Sequence, residues 1–256
     1  MGKFGDLMVE ARERPFEGWD HSLDGRIVTE EPWDFGALVD AFAAGSPDLL
    51  DMGTGGGEWL SRRRLPKRSV ATEGWVPNVP VAQARLAPFG VEVVAVEGAP
   101  DNVEQDGDLG AGALPFADGS FHLVISRHES YVAPEVLRVL APGGRFATQQ
   151  IDSHIARDFH RLLDESPPPI AKFWDLNFAV WQIVKAGFTV EDQAQGAQIM
   201  RFADIGALAW YLKNLPFIIP EFSIDRAYAR LERLHDGMGQ KGIEVRQPVF
   251  RLTARK

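Results

Sequence analysis

The chain contains no cysteine in its 256 residues. That single absence removes disulfides, a thiolate nucleophile and a cysteine-based zinc cluster together. Long apolar runs are also missing. No stretch approaches the about 20 residues that a membrane-spanning helix needs, and Met1-Gly2-Lys3-Phe4-Gly5-Asp6 lacks the apolar core of a signal peptide. A cytoplasmic protein with no membrane partner is the expectation. Positive charge is in short supply, with 27 Lys and Arg against 36 Asp and Glu and a net charge of −9. Phosphate contacts need a basic footprint, so this balance argues against a nucleic-acid partner. The local exception is Arg62-Arg63-Arg64, extended by Lys67-Arg68. It reads as a solvated helix end, where cations suit the dipole. No repeat, low-complexity tract or linker marks a second independent domain.

What the chain does have is a glycine cluster in an informative place. Leu49-Leu50 runs into Asp51, followed by Gly53, Gly55, Gly56 and Gly57 and helix-compatible sequence from Glu58. This reads as a buried strand delivering a carboxylate and a bare loop at its C-terminal end. Glycine belongs there because a bound ligand must touch backbone that a Cβ would cover. In an open α/β sheet such a crevice receives a nucleotide-like ligand. A dinucleotide fingerprint begun at Gly53 requires Gly or Ala at position 58, where Glu58 stands instead. A phosphate loop requires a lysine directly after the glycines, and none follows before Lys67. A second short strand, Arg68 to Glu73, ends in an acid 22 residues beyond Asp51. That interval is close to the about 20 residues expected for a ribose-binding carboxylate.

The remaining pattern, D-x-G-x-G-x-G over Asp51, Gly53, Gly55 and Gly57, resembles the first motif of class I S-adenosylmethionine-dependent methyltransferases. The segment from Leu114 to Ile125 resembles the L-P-F-x-D-x-S-F-D-x-V stretch of the group that includes ubiquinone-biosynthesis enzymes, with His122 in place of the usual Asp. The segment from Glu135 to Phe146 is similar to the E-x-x-R-V-L-x-P-G-G-x-F helix, turn and strand of the same group. The likeness covers about residues 48–150. The whole chain also resembles a group of bacterial methyltransferase-domain proteins and, more distantly, the ribosomal RNA guanine-N1 methyltransferases, whose N-terminal cysteine module is absent here.

The resemblance implies a doubly wound α/β fold with a mostly parallel seven-stranded sheet. The final two strands lie at its edge, the last antiparallel. It implies a helical N-terminal lid over residues 1–46, a methyltransferase domain over 47–256 and a cap insertion at about 203–242. Local patterning agrees. Phe4, Leu7, Met8 and Ala11 recur at helical spacing. Residues 15–34 read as irregular, and helices are expected over about 35–44, 171–186, 203–215 and 224–238. Another opens near Pro80, and strands are expected over 91–96 and 244–254.

The site residues follow from the same likeness. S-adenosylmethionine is the implied cofactor and S-adenosylhomocysteine its product. Gly53, Thr54, Gly55 and Gly57 would carry the methionine end, Asp51 its ammonium and Glu73 the ribose. Gly74 and Trp75 follow immediately, and Trp75 would either lie on the adenine or pack under its own turn. Asp101 and Asn102 are candidates for the adenine amine. At the end of the next strand, Arg127 is a further cofactor candidate, with His128 and Glu129 the candidate catalytic pair. His128 would act as base or wall the pocket. Of Gln149 and Gln150 at most one would reach substrate, because neighbours on a strand face opposite ways. His154 and His160 are assigned to a mobile helix. The expected reaction is methyl transfer to oxygen or nitrogen of a small molecule, in a pocket shaped by Phe16, Trp19, Trp33, Trp174, Trp210 and Tyr211. An RNA methyltransferase and a non-catalytic donor-binding protein are the alternatives, and Glu58 disfavours a nicotinamide enzyme.

Overall fold

The computed structural model describes residues 3–16, 18–103, 112–167, 169–170, 173–239 and 241–256. Eight strands form one sheet, and eight α-helices flank it among the described residues. In chain order these are α1 (Phe4–Glu13), β1 (Ile27–Glu30), α2 (Phe35–Ala43), β2 (Asp48–Met52), β3 (Arg68–Glu73), α3 (Asn78–Leu86), β4 (Glu92–Ala95) and β5 (Phe121–Arg127). Then come α4 (Ala133–Val139), β6 (Leu140–Ile151), α5 (Arg157–Leu162), α6 (Leu176–Ala186), β7 (Thr189–Phe202), α7 (Ile205–Asn214), α8 (Ile224–Gly237) and β8 (Ile243–Arg255). Ala171, the expected start of the helix that begins at Leu176, lies outside the described residues. Asp175 fixes that start by accepting from the Phe178 N–H at 2.8 Å.

The strand order is β1-β7-β8-β6-β5-β2-β3-β4. From β4 to β6 neighbouring strands are parallel, and β8, β7 and β1 then add antiparallel. The parallel part is buried on both faces, as such sheets require. Alternate residues therefore feed different cores. Leu49, Leu123 and Ile125 pack with Val39 and Leu86 under α2 and α3. Leu50, Val124 and Phe146 pack with Val136 and Ile183 under α4 and α6. A third core joins α1, α7 and α8 through Met8, Leu208 and Leu231.

The expected seven strands are eight. Ile27–Glu30 lies in the segment read as irregular, yet it pairs with Ile199–Phe202 of β7. That pairing takes the edge position expected for β7. Arg26 anchors the junction by donating to both carboxylate oxygens of Asp204, at 2.9 and 2.6 Å. Asp204 also caps α7 through the Ala207 N–H. The helix expected from Glu58 is also absent, and only a 3₁₀ turn, Leu60–Arg62, follows the glycines. Pro66 biases the preceding residue toward extended backbone, so the arginine run sits on a turn and loop.

Arg138 gives the two downstream motifs a physical reason. It donates to the carbonyls of Phe116 and Leu114 at 2.7 and 3.0 Å, and pairs with Glu135 at 2.6 Å and Asp118 at 2.8 Å. One guanidinium thus ties the loop before β5 to α4. His122, the departure from the motif, places Nδ1 3.1 Å from Asp48 Oδ2. No described helix is long and apolar enough to cross a membrane.

Candidate functional site

Chain order reverses between β2 and β5, because β3 follows β2 on one side while β5 lies on the other. A crevice opens outside the C-terminal ends of strands at such a point. β2 brings Asp51 and the glycine turn there, and β3 holds the turn in place. The Thr54 N–H donates to the Thr72 carbonyl at 2.9 Å, and the Gly55 N–H to Glu73 Oε2 at 2.6 Å. Glu73 Oε1 accepts from the Trp75 N–H at 2.8 Å. The ribose candidate is therefore already the clasp of the loop.

Two cavities meet at this edge. One, of about 280 Å³, is walled by Gly53, Gly55, Glu73, Gly74, Trp75, Asn78, Gly98 and Glu129. The other, of about 700 Å³, extends under the caps past His21, Gln150, Trp174 and Tyr211. Trp19, Arg127 and His128 wall both. They are the partition that the two cavities share. A third space of about 470 Å³ lies behind Arg127, lined by Trp33, Trp59, Arg63 and Gln149.

The glycine cavity is acidic and short of counter-charge. Burial pushes Asp51 up to about 7, against the pull of Arg127 and with a contribution from Glu73. Burial, aided by Glu73, pushes Glu129 up to about 7. Glu73 is raised by burial as well, although the Trp75 and Gly55 N–H groups oppose it. The nearby cation, Arg127, is engaged with Glu31 at 3.2 Å. Both imidazoles of the larger cavity are neutral near pH 7. Burial drives His128 well below its ordinary range, with Arg127 and His21 adding repulsion. Burial takes His21 down to about 4 despite Asp20.

His128 adopts φ +63, a left-handed conformation uncommon outside glycine. Its N–H donates to the Gln149 carbonyl at 2.8 Å, so the chain turns sharply and sends Glu129 back toward β2. A Cβ at Gly53, itself at φ +68, would overlap Glu129 Cγ. Glu129 thus occupies the glycine cavity, away from the larger one. Of the candidate pair His128 and Glu129, His128 walls both cavities and Glu129 the glycine cavity alone.

Several other candidates sit apart from the glycine cavity. Gly57 packs on α3, where a Cβ would lie 2.8 Å from Leu86 Cγ, so it serves helix–strand packing. Asp51 is buried behind the loop, and neither it nor Thr54 is part of the cavity wall. Asp101 and Asn102 line the larger cavity instead, because Asn102 Oδ1 is drawn to the Tyr131 N–H at 3.1 Å. Trp75 is 65% exposed, which rules out packing under its own turn. Gln150 lines the larger cavity and Gln149 the third, as alternation requires. His154 pairs with Asp152 at 2.6 Å, and His160 is buried in α5.

Of the cap aromatics, Trp19, Trp174 and Tyr211 reach the larger cavity. Trp33 reaches the third, donating to Gln149 Oε1 at 2.6 Å. Phe16 packs edge-on against Trp19 and Trp210, and Trp210 is buried. Sequence reasoning missed His21 and Glu31. Neither carries a local motif, and only the fold brings them to β5.

No family model and no curated protein matches the chain in sequence. Solved structures do match in shape. A candidate methyltransferase from Bacillus halodurans C-125 is 19% identical with a TM-score of 0.56, over 88% of this chain and 99% of that one. The YcgJ protein from Bacillus subtilis is 18% identical with a TM-score of 0.56, over 86% and 97%. A functionally unknown protein from Deinococcus radiodurans R1 is 15% identical with a TM-score of 0.54, over 92% and 95%. With the strand order and the crevice at its reversal, these likenesses show that the chain has the Rossmann-like fold of the class I methyltransferases.

Proposed function

We propose that the protein is an S-adenosylmethionine-dependent methyltransferase acting on an oxygen or nitrogen atom of a small molecule. The observation that carries this reading is the acidic glycine cavity. Glu73 and Glu129 line it and Asp51 is buried behind its glycine loop, burial raising all three carboxyls, Asp51 and Glu129 to about 7. Such a site favours a ligand that brings positive charge. A dinucleotide would bring negative charge to the same place. Its pyrophosphate would want a helix N-terminus, but a 3₁₀ turn follows the glycines. The Glu58 carboxylate also stands over Gly56, where a Cβ would collide with it.

Gly53 and Gly55 would receive the methionine end, with Asp51 and Glu129 toward its ammonium. Glu73 would take the ribose with the lone pairs its two backbone partners leave free. Gly74, Gly98 and exposed Trp75 would flank the adenine. When bound, the cofactor supplies a methyl group already activated on a sulfonium. The protein's task is then alignment and water exclusion. Trp19 closes over the loop, a Cβ at Gly55 falling 2.9 Å from Trp19 Cβ. Arg127 and His128 bound the passage to the acceptor cavity. His128 is neutral, and its Nδ1 has no hydrogen-bond partner among the described residues. Gln149 Nε2 lies 3.4 Å from His128 Nε2 and can only donate, its Oε1 being taken by Trp33. The ring proton therefore sits on Nδ1 and would donate to a lone pair of the acceptor atom, positioning it for attack.

Titration calorimetry with S-adenosylmethionine and, separately, NAD tests the cofactor. Donor binding, abolished by Gly55→Val, is expected. Tight NAD binding with no response to the donor would overturn the reading.

A further inference from the structure

We infer that the 700 Å³ cavity accepts an uncharged aromatic molecule whose hydroxyl is held between His21 and His128. The inference rests on the methyl-transfer reading and names the acceptor class. Charge is the first argument. The ionic groups of the wall are satisfied within the protein: Glu31 with Arg127 at 3.2 Å, Asp152 with His154 at 2.6 Å and Glu58 with Arg85 at 3.3 Å. Asp20 and Asp101 accept from the backbone N–H groups of Ser22 and Val103 at 2.9 and 3.1 Å. Arg62 is exposed to solvent. Away from solvent-exposed Arg62, a charged acceptor would have to break one of these pairs or lose its hydration without compensation.

Ring faces are the second argument. Trp19, Trp59, Trp174 and Tyr211 come to this cavity from four separate parts of the chain. Aromatic pairs gain from offset or edge-on packing beyond the area they bury, so these walls favour a flat ring over a saturated one. The imidazoles are the third. His21 is clamped between Phe16, stacked at 5.3 Å, and Tyr211, edge-on at 5.6 Å. Nε2 of His21 and Nδ1 of His128 have no hydrogen-bond partner among the described residues. Burial keeps both rings neutral. Gln149 Nε2 meets His128 Nε2 at 3.4 Å, so His128 offers Nδ1–H to a lone pair, while Nε2 of His21 can accept the hydroxyl proton. His21 is thereby a second acceptor-side residue, fixed by its aromatic neighbours.

Three matched probes test this in the full-length protein: 2-naphthol, 2-naphthoate and decahydro-2-naphthol, read by tryptophan fluorescence and calorimetry at pH 7.5. 2-Naphthol is expected to bind at least tenfold more tightly than either of the others. His21→Phe keeps the stack and removes the nitrogens, and should weaken 2-naphthol about fivefold, the scale of one neutral hydrogen bond. His21→Gln should restore part of that loss. Equal or tighter binding of 2-naphthoate, equal binding of the saturated alcohol, or His21→Phe binding like wild type would each overturn the inference. Failure of 2-naphthol to bind while S-adenosylmethionine still binds overturns the acceptor class alone. Failure of S-adenosylmethionine to bind overturns the methyl-transfer reading instead.

Discussion

If Glu129 meets the positive end of the donor, donor binding must expel a proton. In the free protein burial holds this carboxyl at about 7, so at pH 6 roughly nine-tenths of it is protonated and at pH 7.5 about a quarter. A cation placed beside it returns it to the ordinary carboxylate range. By linkage, donor affinity then rises about eightfold between pH 6 and pH 7.5 from this group alone. Asp51, also near 7, adds a comparable factor if the same cation reaches it. The window stops at 7.5 because an α-amino group begins to lose its own charge at about 7.7–8.0. At pH 6.5 about 0.75 proton should leave per coupled carboxyl, measured by calorimetry in buffers of different ionisation enthalpy. Glu129→Gln should weaken the donor on the order of 10²-fold at pH 7.5. Its penalty should be about eightfold smaller at pH 6, where wild type is itself mostly neutral. A flat pH profile, with no proton released and the same Gln penalty at both pH values, would refute the placement of Glu129.

Stability should move the other way. A carboxyl whose folded pKa is raised contributes stability that is present below its unfolded value near 4.5 and lost as pH rises through about 7. The ligand-free Glu129→Gln protein should therefore be more stable than wild type at pH 8, by at most ~3 kcal/mol, with a higher melting temperature, and should converge with it below pH 4.5. Equal melting temperatures at pH 8 would show the carboxylate to be well solvated. Glu73→Ala should cost about 1.5–3 kcal/mol of donor affinity as a charge-assisted contact disappears. It should also raise proteolytic susceptibility of the glycine turn, because its clasp on Gly55 is lost; unchanged affinity would place the ribose elsewhere. His128→Ala should lower kcat by roughly 10²-fold with donor affinity unchanged, as the acceptor loses its alignment, once an acceptor is in hand. Wild-type kcat and KM would remove this residue from the site.

The parts of the site visible in sequence were those encoded locally. A bare loop after a buried acid, and a second acid one strand later, are properties of short segments. So are the helix-to-loop ties around Arg138 that make the downstream motifs recognisable. What stayed hidden depended on contacts between distant segments. Ile27–Glu30 is a strand because β7 offers it an edge some 170 residues later. The helix expected from Glu58 gave way to a 3₁₀ turn, with Pro66 restricting the backbone before the next strand. Glu129 faces the glycine cavity through a single left-handed residue, His128, which alternation along a strand does not foresee. Asn102 was drawn from the expected adenine position by the Tyr131 N–H. His21 had no sequence signal at all. Its role arises because Phe16 and Tyr211, far apart in the chain, grip it over the mouth of β5.

A labelled methyl group reports the transfer step itself. Purified protein incubated with methyl-labelled S-adenosylmethionine and a fractionated cell extract should move label into an uncharged small-molecule fraction. His128→Ala should reduce that label without weakening donor binding. Donor that binds but passes no label to any fraction, or label that appears in RNA alone, would contradict the account.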